Sequence, residues 1–302
     1  MTDPTGDATE AHGSSRYAAD IEFARAIAEE AGRIQLERYE RVESIEFKSA
    51  KDVVTEVDHL CEELILGAIR ARFPGDGILA EESGAHQGPG AKGQADGRGA
   101  VAEAVARSLS SGRTWIVDPL DGTVNYANGL PYFCVSIGLI VDGTPAAGAV
   151  HDPMRGETFS AVADGGAWLS SAARGTVAIH ASDKAELKDW VVHLALGGRA
   201  VASRVSAVRR ATRVSRTMGS SALALAYVAN GRFDAFVQSG GMSAWDVAAA
   251  GLIAERAGAI VTDTAGGAWF DVAKATRAFG VCAAAPAHHG ELLQMSGEPR
   301  KG

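Results

Sequence analysis

The chain has 302 residues, 46% of them hydrophobic, with 29 Lys and Arg against 37 Asp and Glu and a formal net charge of −8 at pH 7. That length buries a core as one large α/β domain or two smaller ones, and the acidic balance speaks against a non-specific nucleic-acid binder, whose phosphate contacts need Lys and Arg. No run of about 18 apolar residues occurs, and the N-terminus MTDPTGDATEAHGSS lacks the basic and apolar regions of a signal sequence, so a cytoplasmic protein without a membrane partner is expected.

Cys61, Cys134 and Cys282 lie far apart and outside any CxxC spacing. They suggest neither a disulfide framework nor a thiolate zinc site, and read as reduced core thiols.

Residues 1–16, rich in Gly, Ser, Thr and acids, are expected to form a disordered tail ahead of a single domain spanning 17–295. Ile21, Ala24, Ala28, Ala31 and Ile34 recur at helical spacing and predict a helix to about Arg38. Val57, Leu60, Cys61, Leu64, Ile65, Ala68 and Ile69 predict a second helix, with Asp58, Glu62 and Glu63 on its polar side and Phe73-Pro74-Gly75 as its stop. Residues 84–112 read as an insertion, a flap over the active-site mouth, with a short helix between Ala100 and Leu109.

Trp115-Ile116-Val117 predicts a short buried strand, and residues 133–170 an antiparallel meander with turns at Asp142-Gly143 and Asp164-Gly165-Gly166. Beyond it, Ser220–Val228 and Ala244–Ala257 predict helices, and Phe233–Val237 and Ala259–Thr262 strands. Six arginines fall between 199 and 216, on a solvated helix face plus a strand edge, or serving a phosphate or partner. Helices alternating with hairpins and isolated strands give a layered α/β or α+β sandwich.

Four carboxylates stand at the ends of apolar elements: Glu81, Asp118, Asp121 and Asp246. Taken alone, Glu81 reads as a solvated strand end or a ligand, and Asp246 as an acid complementing a helix dipole or a ligand. Asp52 and Asp58 read as strand-end and N-cap residues or as part of the same acidic group. The segment Trp115 to Thr123 is stronger, because a buried strand empties into a turn where Pro119 fixes φ and two aspartates three residues apart converge. Gly122 and Thr123 follow as a helix start whose free N–H groups suit an anion. His151 reads as a turn residue, and His288-His289 as solvated. No GxSxG elbow or P-loop lysine occurs.

Lys51-Asp52-x-Val54-Thr55-x-x-Asp58, Glu81-Glu82-Ser83, Trp115-x-Val117-Asp118-Pro119-Leu120-Asp121-Gly122-Thr123-x-Asn125-Tyr126, Gly219-Ser220-x-Ala222 and Trp245-Asp246-x-Ala248-Ala249-Ala250 resemble, in order, the signatures of the inositol monophosphatase family. The resemblance implies an α-β-α-β-α sandwich of the inositol monophosphatase and fructose-1,6-bisphosphatase type, a homodimer, and a lithium-sensitive hydrolase with two to three Mg²⁺ per subunit. It implies that Glu81, Asp118 and the Leu120 carbonyl hold one ion and Asp118, Asp121 and Asp246 a second, with a third near Glu81, Asp52 and Asp58.

By the same resemblance Thr123 with Glu81 and Asp118 forms the catalytic group, Thr123 and Glu81 orienting the attacking water. Gly122, Thr123, Asp121, Ser221, Gln238 and Asp246 meet the substrate. Gln238 stands where the family carries Glu, Ser221 where it carries Ala, and the chain is one residue longer between that strand and Trp245, which bears on specificity. The expected substrate is an inositol monophosphate or a similar small polyol or cyclitol phosphate. Histidinol phosphate, fructose 1,6-bisphosphate, a 3′-phosphonucleotide, and a regulatory partner role with incidental phosphatase activity are the alternatives.

Overall fold

The computed structural model describes residues 13–49, 52–86, 112–271, 274 and 276–297. The expected insertion lies mostly outside these, apart from Gly84–His86, which form a short strand.

The chain opens with α1 (Ala18–Arg38), the hairpin β1 (Ile45–Ser49) and β2 (Asp52–Thr55), and α2 (Glu56–Arg72). An eight-stranded sheet follows, built from β3 (Gly77–Ala80), β4 (Gly84–His86), β5 (Arg113–Asp121), β6 (Cys134–Val141), β7 (Thr144–Asp152), β8 (Glu157–Val162), β9 (Ala167–Ser171) and β10 (Gly175–Ala178) in the order 10-9-8-7-6-5-3-4. The short helix α3 (Thr123–Ala127) interrupts the run after β5. A five-stranded sheet, order 12-11-13-15-14, takes β11 (Val191–Ala195), β12 (Val214–Arg216), β13 (Ala235–Met242), β14 (Ile260–Asp263) and β15 (Phe279–Ala284). Helices α4 (Val201–Ala211), α5 (Ser221–Ala226), α6 (Ala244–Arg256) and α7 (His289–Ser296) complete it.

Side-chain alternation along the strands sorts these elements into five layers. On β5 and β6, Trp115, Val117, Val135, Ile137 and Leu139 face α1 and α2. From the other face of that sheet Val150, Phe159, Ala161 and Leu169 pack on α5 and α6, which the second sheet covers from behind through Phe236, Phe279, Val281 and Ala283. The opposite face of the second sheet, with Val192, Ala235, Val237, Cys282 and Ala284, meets α4 and α7 through Val208 and Leu292. The order α-β-α-β-α agrees with the expected sandwich.

The buried helix α6 approaches the large sheet closely because two glycines let it. A Cβ added at Gly148 would stand 2.7 Å from Ala249 Cα, and one at Gly138 would stand 3.0 Å from Ala248 Cβ. The β6–β7 hairpin turns on Asp142 and Gly143, both at positive φ (49° and 79°), the geometry that matches strand twist.

Several local expectations change. Ser15 Oγ and Arg16 N, assigned to the tail, donate to Asp164 at the β8–β9 turn. In α2, Leu60 is exposed while Asp58 and Glu62 are buried, because the inner face of this helix supplies carboxylate acceptors to backbone N–H groups rather than apolar surface alone. Glu62 takes the amides of Glu82 and Ser83, both at 2.9 Å.

His151 is a buried strand residue, not a turn. It packs under Gly32, bonds Thr158 Oγ1 at 2.9 Å, and burial pushes its pKa down to about 4. His289 is buried against Thr262 rather than solvated. All three cysteines are buried and free.

Gly148→Val should lower stability by roughly 1–3 kcal/mol, since the added atoms meet helix backbone that cannot swing away. Gly67→Ala, at an exposed helical position with open space, should instead add about 0.5–1 kcal/mol. Urea midpoints at constant m-value measure both, and a neutral Gly148→Val would mean that α6 is not held by this contact.

Candidate active site

β3 and β5 run parallel with Ala80 beside Val117, so the residue that follows each partner, Glu81 and Asp118, emerges at the same sheet end. Glu81 N continues the ladder to Val117 O at 3.1 Å. Glu62 pins the next two amides and so fixes the turn that carries Glu81.

The sequence suggests a turn after Val117; the structure instead has a β-bulge inside a nine-residue strand. Asp118 pairs with Ser136 and Asp121 with Cys134, so β5 advances three residues while β6 advances two. The extra residue absorbs Pro119, which has no N–H to give the ladder. Its consequence is chemical. In a regular strand residues three apart point to opposite faces, and the bulge returns Asp121 to the face of Asp118. From α1, Gln35 Nε2 donates to Pro119 O at 2.8 Å and braces the bulge.

Asp246 arrives from the first turn of α6, where its Oδ2 accepts from Ser243 N at 2.6 Å. Asp121 Oδ2 rests on the start of α5, accepting from Ser220 Oγ at 2.5 Å and Ala222 N at 2.6 Å. Asp118 Oδ1 accepts from Leu120 N at 3.0 Å. Each carboxylate is thus aimed by one anchored oxygen. Together the three offer ligand atoms within 4.8 Å of one another.

They line a cleft of about 400 Å³ with Glu81, Leu120, Gly122, Thr123, Gly219, Gly241, Ser243 and Trp245. Gly122 must be glycine, because at φ 100° a Cβ would press to 3.0 Å from Tyr132 O. Gly219 is similarly constrained by Asn125, whose Nδ2 donates to Tyr132 O and Met218 O and ties the two loops that flank Ser220.

Thr123 Oγ1 lies 3.1 Å from Asp58 Oδ1 and 3.0 Å from the Leu120 carbonyl. Asp58 is fully buried, its Oδ2 closing a capping box with Thr55 at the start of α2. The Asp58–Thr123 link was hidden in the sequence by a separation of 65 positions. Asp52 lies on β2, and its side chain is outside the described residues. Ser221 and Gln238 do not line this cleft: Ser221 Oγ donates to Gln238 Oε1 at 3.2 Å, and Gln238 faces an adjoining cavity.

Thr276 and Arg277, on the loop before β15, do line it. No motif announces them. Arg277, at φ 65°, donates its backbone N–H to Ser243 Oγ and accepts from Gly241 N, which fixes the backbone of a basic residue on the wall of an otherwise acidic cleft.

Burial first, then the charges of Glu81, Asp121 and Asp246, hold the Asp118 pKa well above the ordinary carboxylate value. Burial also raises Asp121, opposed by Ser220 and the amides of α5. Asp58 is pushed up to about 6 by burial, with Thr55 and Thr123 pulling the other way. Like charges at about 4–5 Å repel by roughly 3–4 kcal/mol per pair at an effective dielectric near 20, so the cluster calls for cations. Its donors are all hard oxygens, without His or thiolate, which suits Mg²⁺.

The model of the Inositol monophosphatase family matches residues 17–298. The chain is 33% identical over 246 residues to an inositol monophosphatase of Mesembryanthemum crystallinum, covering 79% of this chain and 83% of that one. It is 35% identical over 250 residues to Nus factor SuhB of Pasteurella multocida, covering 80% and 83%. Among solved structures, the extragenic suppressor protein suhB of Bartonella henselae matches with a TM-score of 0.78 at 27% identity, over 93% of this chain and 100% of that one. The chain belongs to the inositol monophosphatase family of metal-dependent phosphatases. It is a phosphoric monoester hydrolase. Among the described residues no helix is long and apolar enough to cross a membrane.

Three carboxylates with raised pKa values make metal-free stability depend on pH. Between their ordinary value and their folded values the native state holds more protons than the unfolded chain, so stability falls as pH rises through about 6 and beyond. Asp118→Asn should therefore raise the melting temperature of the chelator-treated protein at pH 8 by about 3 °C, the effect of roughly 1 kcal/mol in a chain of this size, while abolishing turnover. A lower melting temperature for the variant would show that Asp118 is held by attraction rather than against repulsion.

Proposed function

We propose that this enzyme hydrolyses the phosphomonoester of a small polyol or cyclitol with Mg²⁺ held by Glu81, Asp118, the Leu120 carbonyl, Asp121 and Asp246. The observation that carries the reading is the convergence of Asp118, Asp121 and Asp246 within 4.8 Å on an open cleft. When bound, two to three Mg²⁺ supply Lewis acidity toward water and phosphoryl oxygen and neutralise the clustered charge.

The remaining chemistry belongs to the side chains. Thr123 carries one hydroxyl proton, which it gives to Asp58 Oδ1, and its lone pairs then accept a hydrogen bond from a water in the cleft. Asp58, whose pKa burial raises to about 6, accepts that hydrogen bond as a carboxylate near neutral pH and so holds the Thr123 lone pairs toward the water, orienting it for attack. Gly122, Thr123 and Arg277 line the same cleft, and backbone amides and a guanidinium are donors that suit phosphate oxygens. A homodimer, a cytoplasmic setting and inhibition by Li⁺ belong to this same reading.

The test is phosphate release from a panel of cyclitol, sugar and amino-alcohol monophosphates with Mg²⁺ and with chelator. Turnover should require Mg²⁺, and Thr123→Ala should lower kcat by about 100-fold or more with little change in half-saturating Mg²⁺. LiCl should inhibit where KCl does not, most strongly at saturating substrate. Full activity in chelator would overturn the metal assignment, and a Thr123→Ala variant that fails only by losing Mg²⁺ would overturn the water-orienting role.

A further inference from the structure

A second cavity, of about 710 Å³, adjoins the carboxylate cleft. It opens where three parallel strands end: Leu194 and Ala195 finish β11, Thr217 follows β12, and Gln238 to Gly240 belong to β13. The chain leaves β11 through α4 on the outer face to reach β12, then returns through α5 on the inner face to β13 on the other side of β11. Such a reversal leaves a crevice at the carboxyl ends of the strands, where open α/β sheets take ligands.

The same two segments wall both spaces. Thr217 borders the cavity and Gly219 the cleft; Gly240 borders the cavity and Gly241 the cleft. A bulge makes the second wall, since β13 advances four residues from Gln238 to Met242 while β15 advances two. A phosphomonoester seated among the carboxylates would have this cavity beside it for its alcohol portion, and the volume suits a sugar-sized group.

Charge then separates the candidate substrates. The cleft carries four carboxylates, whereas the cavity is lined by apolar, glycine and neutral polar residues and one charged side chain, Arg209. Gln238 contributes no charge, and its amide is engaged by Ser221 Oγ and Gly240 O. Arg209 shares a face of α4 with Val205, is exposed, and donates Nε to Ser215 Oγ at 3.1 Å. Among the described residues no carboxylate pairs with it. Among the same residues Arg210 and Arg216 also have no carboxylate partner but do not line the cavity, whereas the Arg204 guanidinium is taken up by the carbonyls of Gly197, Arg199 and Ser296, and Arg213 pairs with Asp189.

We propose that Arg209 recognises a second anionic group on the alcohol portion, so that the enzyme prefers phosphomonoesters bearing a further phosphate or carboxylate over those whose alcohol portion is neutral or cationic. The proposal rests on the phosphatase reading of the cleft. A guanidinium binds either anion through paired N–H groups, and an amine-bearing alcohol gains nothing from it.

The experiment measures kcat/KM at saturating Mg²⁺ for fructose 1,6-bisphosphate and 2-phosphoglycerate against inositol 1-phosphate, glycerol 2-phosphate and histidinol phosphate. The wild type should favour an anionic member over the neutral ones by tenfold or more, and which of the two leads distinguishes phosphate from carboxylate. Arg209→Gln should lower the anionic-to-neutral ratio about tenfold, mainly through KM, with Arg209→Lys restoring part of it. Gln238→Glu should lower the same ratio by placing a carboxylate in the cavity. A wild type that uses neutral or cationic members as well as anionic ones would overturn the proposal, as would an Arg209→Gln variant that loses all substrates alike, which a structural role predicts. Phosphate release from no member would remove the phosphatase reading itself.

Discussion

Three carboxylates crowded at one end of a sheet are the constraint around which this molecule is built. Asp118, Asp121 and Asp246 bring ligand atoms within 4.8 Å of one another, and two of the three side chains are buried. Left to relax they would turn apart. Each is prevented by a hydrogen bond to one of its oxygens: the Leu120 amide for Asp118, Ser220 and the α5 amides for Asp121, the Ser243 amide for Asp246. These donors are backbone groups or a helix cap, so they cannot swing away.

Two irregularities make the arrangement possible. The bulge at Pro119 puts Asp118 and Asp121 on one face of β5, and the bulge in β13 brings Gly241 to the cleft and Gly240 to the cavity beside it. Both are strand defects in the sense that ladder bonds are lost, and both sit where a side chain or wall must be re-aimed. The regular parts serve them. Gly138 and Gly148 let α6 lie against the sheet closely enough for its first turn to deliver Asp246, and α1 braces Pro119 through Gln35.

The proposed chemistry and the proposed specificity occupy different surroundings. The cleft is acidic and calls for cations, with Arg277 and the Asp58–Thr123 pair at its edge. The adjoining cavity is large, mostly neutral and carries the positive charge of Arg209. Because the two are walled by the same loops, the alcohol portion of a substrate can be selected by charge without altering the groups that act on the phosphate.

The sequence by itself determined most of the elements and the acidic residues that line the cleft. Helical periodicity from Ile21 to Ile34 gave α1, alternation and the Asp142-Gly143 turn gave the β6–β7 hairpin, and the Asp118 to Thr123 segment with Glu81 and Asp246 marked the cleft residues, since these signals are local or carried by a family resemblance. What depends on distant partners was decided only by the tertiary structure. Asp58 and Glu62 read as a polar helix face, yet they are buried because Thr123 and the amides after β3 come to meet them. His151 read as a turn, yet Gly32 of α1 leaves it a buried slot. The turn expected at Pro119 became a bulge because β6 continues to pair on its far side, and Arg277 entered the cleft through a loop with no periodicity at all. A side chain's neighbours across the sheet set its burial and its charge, and one-dimensional spacing holds no record of them.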